Sequence, residues 1–173
     1  PVKFDQADQR SEPVKRHAGI LWLFQDGKNV PLSAIARYGA DKGIYNVALA
    51  MTAPDLNDAL PGTASLPERF ADAIRAVGGA GAETRWRFPI RDAEVNDPVK
   101  AVMARWDRVH EGAAANEIQR DMVLALRMWR PSVVVTEALT ASRDNSVAAA
   151  IVALGARRAF AAASDPNEFR EQI

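Results

Sequence analysis

The sequence predicts an α/β protein with a mostly parallel sheet and helices on both of its faces. The first observation behind this is the element order, strand–helix–strand–helix–strand–helices–strand–helix, which suits parallel strands joined by right-handed crossovers. The second is the character of the strands: Ile20-Leu21-Trp22-Leu23-Phe24 and Val133-Val134-Val135 are unbroken apolar runs, as in strands buried on both faces. The third is size. A chain of 173 residues with 48% hydrophobic and 25% charged residues has an ordinary globular composition and fits one core.

Taken in order, residues 1–17 are polar, with Asp5, Asp8, Arg10, Glu12, Lys15 and Arg16, and read as an extended arm; the domain proper spans 18–173. The first strand, 20–24, ends in the turn Gln25-Asp26-Gly27. A short helix over 33–38 would turn Leu32, Ile35 and Tyr38 inward and stop at Gly39 or Gly43, before a second strand over 44–51. Pro54, Asp55, Asn57, Asp58, Pro61 and Gly62 mark an irregular loop. Ser65 then caps a helix with Phe70, Ala73, Ile74 and Val77 at helical spacing, ended by Gly78-Gly79. Thr84-Arg85-Trp86-Arg87-Phe88 alternates in period two up to Pro89 and predicts the third strand.

Asp97-Pro98 opens a helix with Val99, Met103 and Trp106 on one stripe, ending near Gly112. The next helix, about 114–130, buries Ile118, Met122, Leu126 and Trp129 and is stopped by Pro131. The valine-rich segment 132–137 is the best strand pattern in the chain. Asp144, Asn145 or Ser146 caps an alanine-rich helix that ends near Ser164, and Asp165-Pro166 starts one further turn.

Composition excludes several function classes. Lys plus Arg and Asp plus Glu both number 22, so no global field favours nucleic acid or an anionic membrane surface, and neither is expected as a partner. The absence of cysteine removes disulfides, thiolate nucleophiles, Cys-type zinc sites and iron–sulfur clusters. With 2 histidines, any metal site needs carboxylates as most of its ligands. No uncharged apolar stretch reaches the roughly 18 residues of a membrane span. No basic-then-apolar leader is visible at Pro1-Val2-Lys3-Phe4-Asp5, so the expected location is cytoplasmic.

Several segments resemble the LmbE-like, or PIG-L, N-deacetylases. Ile20-Leu21-Trp22-Leu23-Phe24 with Gln25-Asp26-Gly27, then 33–38 and 44–52, look like the opening of that family. Trp86-Arg87-Phe88-Pro89-Ile90 resembles its third strand and turn, and Leu126-Arg127-Met128-Trp129-Arg130-Pro131-Ser132-Val133-Val134-Val135-Thr136 its helix, Arg-Pro-Asp and Val-Val-Val-Thr segment. Asp165-Pro166-Asn167-Glu168-Phe169-Arg170-Glu171-Gln172 looks like its Asp-Pro, Phe-Pro-Glu-Gln stretch. The resemblance covers nearly the whole chain from residue 18 onward. It implies a three-layer, Rossmann-like α/β fold and zinc-dependent hydrolysis of an acetamide on an amino-sugar-like small molecule. In that chemistry zinc polarises the carbonyl and activates water, with an aspartate as general base.

The family's first motif, His-Pro-Asp-Asp, falls on Phe24-Gln25-Asp26-Gly27, where only the base position, Asp26, is retained. The second, a His-x-x-His-like element, falls around 142–150, which offers Arg143, Asp144, Asn145 and Ser146 but no histidine. The three implied zinc ligands are therefore missing or replaced, and an Asp26–Asp144 pair would at most suit a hard cation such as Mg²⁺ or Ca²⁺.

The candidate site residues each carry two readings. Asp26 is a vestigial base or a turn aspartate; Asp144 and Asn145 are helix caps or cleft residues; Arg143 is a carboxylate or phosphate holder or a solvated arginine. Glu137, at the carboxyl end of the valine strand, faces the crevice where ligands bind in such sheets. His110 reads as a helix-end packing residue, His17 as an edge residue, and Trp22, Trp86, Trp106 and Trp129 as packing residues before sugar platforms. Two functions remain: a hydrolase-type scaffold for N-acyl amino sugars with a substituted site, or a non-catalytic module that binds a ligand or partner.

Overall fold

The computed structural model describes residues 17–53, 65–85 and 87–173. Of the expected polar arm only His17 is among them, and the irregular loop from Pro54 to Gly62 and Trp86 lie outside the described residues. The elements are β1 (Ile20–Phe24), α1 (Leu32–Tyr38), β2 (Asn46–Ala50), α2 (Leu66–Ala76) and β3 (Gly81–Thr84), followed by α3 (Val99–Val109), α4 (Ala114–Trp129), β4 (Val133–Val135) and α5 (Val147–Ser164). The four-stranded sheet has the order β3-β2-β1-β4, and each strand pairs with its neighbour in parallel. The α/β three-layer arrangement is thus the one expected.

β1 shows why. Its side chains alternate between faces. Leu21 and Leu23 join the core under α3, α4 and α5 with Trp106, Met122 and Val152, whereas Ile20, Trp22 and Phe24 meet Ile35, Phe70 and Ile74 under α1 and α2. A strand apolar at every position has no solvent face to offer, so it sits in the middle of the sheet. The buried Asn46 is satisfied: its Oδ1 accepts from Trp22 Nε1 at 3.0 Å and its amide donates to the Ile44 carbonyl at 2.9 Å. Ser65 and Glu68 form the capping box of α2, and Gly78 takes the left-handed conformation (φ 84°) that ends it. Arg127 of α4 donates to the carbonyls of Ala162, Ala163, Asp165, Glu168 and Phe169, tying the tail to the end of α5. α5 has 18 residues and is long and apolar enough to cross a membrane by length and composition alone; here its alanines pack on α4 and the sheet.

Several local expectations are corrected. The third strand lies at Gly81–Thr84, before the aromatic alternation. Phe88 plugs the core beneath α3, fully buried against Trp106 at a centroid distance of 5.6 Å, so its apolar character reflects a buried turn. Leu32 and Val99 are exposed, and the inner stripe of α3 is Val102 and Trp106. The helix starts one residue later than expected, with Pro98 in the cap position. The valine strand is short and forms an edge, with Val133 half exposed.

Candidate functional site

Strand order fixes where a ligand could enter. The chain runs outward from β1 through β2 to β3, then returns to place β4 on the other side of β1. The connections from β1 and into β4 therefore diverge at the β1/β4 boundary, the position at which open parallel sheets form a crevice beyond their carboxyl ends. A polar cleft of about 480 Å³ lies there.

Each element contributes to it. Beyond β1, Asp26 accepts the Lys28 N–H at 2.9 Å and caps the 3₁₀ turn Gly27–Asn29, as its turn reading requires. Gln25 is buried and latched to the end of β2: its Nε2 donates to Thr52 Oγ1 at 2.7 Å, and that hydroxyl donates to the Gln25 carbonyl at 2.8 Å. Two residues past β4, both carboxylate oxygens of Glu137 accept the Gln25 N–H, at 2.8 and 3.0 Å, and Oε1 lies 3.4 Å from Asn29 Nδ2. Burial pushes the Glu137 carboxyl up to about 7; the hydrogen bonds oppose this rise and the Asp26 charge adds to it. The far wall is the loop before α5.

All five residues singled out in the sequence, Asp26, Glu137, Arg143, Asp144 and Asn145, line this one cleft. Their surroundings differ. Asn145 is buried and donates to the carbonyls of Ala138 at 2.9 Å and Thr140 at 2.8 Å, so it pins the loop. Ser146, and neither Asp144 nor Asn145, caps α5, accepting the Ala149 N–H at 3.0 Å. Arg143 and Asp144 have exposed side chains without an ion pair among the described residues.

Sequence reasoning missed Lys28, Asn29, Asp92 and Asn96, polar residues that also line the cleft. Lys28 Nζ meets Asp92 Oδ2 at 2.8 Å, closing one side of the cleft between the turn after β1 and the Asp92–Glu94 turn. The polar Lys28-Asn29 pair after a predicted strand end was a usable signal. Asp92 and Asn96 were hidden by the misplacement of the third strand.

The donor set does not fit the zinc site implied by the resemblance. Phe24 packs in the core, and a Cβ at Gly27 would lie 2.8 Å from Phe70 Cδ2, so Phe70 fills the space that a longer side chain there would need. Among the described residues no group of three His, Cys, Asp or Glu side chains could hold a metal ion. His110 sits at the end of α3, its Nε2 donating to the Arg87 carbonyl at 2.7 Å, and His17 Nδ1 lies 3.3 Å from the Arg130 carbonyl. Both histidines are engaged with backbone away from the cleft.

No protein-family model matches the chain, and no curated protein matches it. Among solved structures it is similar to a conserved protein from Thermus thermophilus, at 18% identity and a TM-score of 0.58, over 88% of this chain and 59% of that one. It is also similar to the N,N'-diacetylchitobiose deacetylase from Pyrococcus horikoshii, at 16% identity and a TM-score of 0.60, over 88% of this chain and 53% of the other. The chain thus spans just over half the length of either neighbour. Likeness at this level is likeness of fold, and the fold is deacetylase-like.

Proposed function

We propose that this chain uses a deacetylase-like fold to bind a small, amino-sugar-like molecule in the β1/β4 cleft, without the zinc-dependent hydrolysis that the resemblance implies. The observation that carries the reading is a contrast at the carboxyl end of β1. The positions implied for zinc ligands there carry Phe24, packed in the core, and Gly27, crowded by Phe70, and neither lines the cleft, whereas the cleft keeps converging polar groups on Asn29, Glu137, Arg143 and Asp144. A polar cleft with few apolar walls suits a ligand rich in hydroxyl groups. Glu137 would accept from the ligand at the floor, and Arg143 and Asp144 would contact it at the rim.

The test is a melting-temperature shift with glucosamine and N-acetylglucosamine on the wild type and on a Glu137→Ala/Asp144→Ala double variant. A shift in the wild type that the double variant lacks supports the reading; equal shifts, or none, reject the cleft. A hydrolytic reading is favoured by one observation, a Glu137 carboxyl poised to exchange protons near neutrality. Release of acetate from N,N'-diacetylchitobiose by the purified protein, abolished in Asp26→Ala or Glu137→Gln, would establish that alternative and overturn the binding-only reading.

A further inference from the structure

The hydrogen-bonding groups around the cleft are not balanced between donors and acceptors. An anion in such a crevice is normally held by free backbone N–H groups at loops and helix starts. Here several of those N–H groups, in the turn after β1 and at the start of α5, are already taken. Gln25 N donates to Glu137 and Lys28 N to Asp26, while Asp144 N and Asn145 N donate to the side chain and carbonyl of Ser142. At the start of α5, Ala148 N donates to the Val95 carbonyl and Ala149 N to Ser146 Oγ.

Acceptors are left over. Glu137 has no ion pair among the described residues, although burial strips it of water and Asp26 adds a like charge. A carboxylate removed from water ordinarily has a cationic partner, and its two oxygens offer more lone pairs than the backbone N–H groups of Gln25 and of Glu137 itself and a distant amide use. The Asp144 carboxylate and the second oxygen of Asp26 are likewise without a hydrogen-bond partner among the described residues. Of the two cations that line the cleft, Arg143 is exposed and makes no ion pair with Glu137, and Lys28 meets Asp92.

We propose that the cleft recognises its ligand through a primary ammonium group seated on Glu137, so that it takes a free amino sugar in preference to the N-acetylated one. This rests on the reading of the cleft as an amino-sugar site. An acetamide offers one N–H and brings a carbonyl acceptor of its own toward Glu137, Asp26 and Asp144. An ammonium brings three donors and the missing positive charge. The groups that face Glu137 are Gln25, Asp26 and Asn29 from the β1 side, with Arg143 and Asp144 from the α5 side and the Lys28–Asp92 pair across the opening.

Calorimetric titration with glucosamine and N-acetylglucosamine, slightly above neutral pH, tests this on the wild type and on Glu137→Gln. Glucosamine should bind the wild type about tenfold to a hundredfold more tightly, the range expected for a hydrogen bond to a charged group. Glu137→Gln keeps an acceptor for the Gln25 N–H and should bind the two sugars with equal affinity, the tenfold to hundredfold preference being lost. A measurement on the wild type alone gives an independent readout: the preference should fade as the pH is lowered through the titration of Glu137. Equal affinities, a preference for the acetylated sugar, or a preference that survives both Glu137→Gln and acidification would overturn the ammonium assignment and leave the cleft reading standing. Failure of both sugars to bind the wild type would overturn both.

Discussion

Glu137 and Gln25 lie 112 residues apart, yet one backbone N–H joins them: Gln25 N donates to both carboxylate oxygens, at 2.8 and 3.0 Å. The ladder between β1 and β4 ends at Trp22↔Val135, so this side-chain bond carries the pairing of the two strands onward into the cleft. One carboxyl group thereby closes the sheet and forms the floor of the crevice. Its charge state affects both roles.

The Glu137 carboxyl is raised from 4.5 to about 7 in the folded protein, so the folded state holds its proton more tightly than the unfolded chain does. Its contribution to stability is fully present below about pH 4.5 and is lost as the pH rises through about 7. Over that interval the wild type should lose about 1–2 kcal/mol more than Glu137→Gln, allowing for residual solvent screening of a half-buried carboxyl. Urea unfolding of both proteins at the two ends of this window measures the difference.

Asn145→Ala should destabilise the protein by about 1–3 kcal/mol, because the loop carbonyls of Ala138 and Thr140 lose the two hydrogen bonds of the buried Asn145 amide. Arg143→Ala, two residues away and exposed, should change stability by less than about 0.5 kcal/mol. Equal losses in the two variants would show that the loop is held by something other than the Asn145 amide.

Restoring the implied ligand residues should not restore metal binding. In a Phe24→His/Gly27→Asp variant the new Cβ at position 27 meets Phe70 Cδ2 at 2.8 Å, and overpacking of this kind costs about 1–3 kcal/mol. The expected outcome is a less stable protein that retains no stoichiometric zinc after dialysis, measured by metal analysis and thermal melting.

Arg127→Lys should release the C-terminal segment. A single ammonium cannot reach the set of carbonyls, from Ala162 to Phe169, that the guanidinium fork holds. The expected loss is about 2–3 kcal/mol. Faster amide exchange over residues 165–173, with α4 unaffected, is the accompanying signature.

The parts of the fold legible in the sequence were those in which one physical cause acts alone. β1 is apolar at every position and is central; α4 repeats Ile118, Met122 and Leu126 and buries them. The misread elements are those where two causes give the same pattern. Phe88 alternates like a strand residue because Trp106 and the core cover a turn, while the true third strand holds Gly81 and Ala82, which carry little apolar signal. The valine run marks a strand but not its neighbours, and β4 proved to be an edge. In the cleft, Glu137 was legible because a carboxylate at a strand end has few structural reasons to be there. Asp92 and Asn96 depend on how the chain returns from β3, which local pattern does not encode.

The strand order also sets a sequence of events. β1, β2 and β3 can pair using only the first half of the chain, but the partner on β1's other side is made last. A growing polypeptide therefore carries β1 with one flank bare until the final third has emerged, and contacts of such long span form slowly. Conversely, local opening that peels β4 away would erase the crevice and leave three strands intact. The cleft is in this sense a report that the chain has been assembled through β4 and the loop before α5.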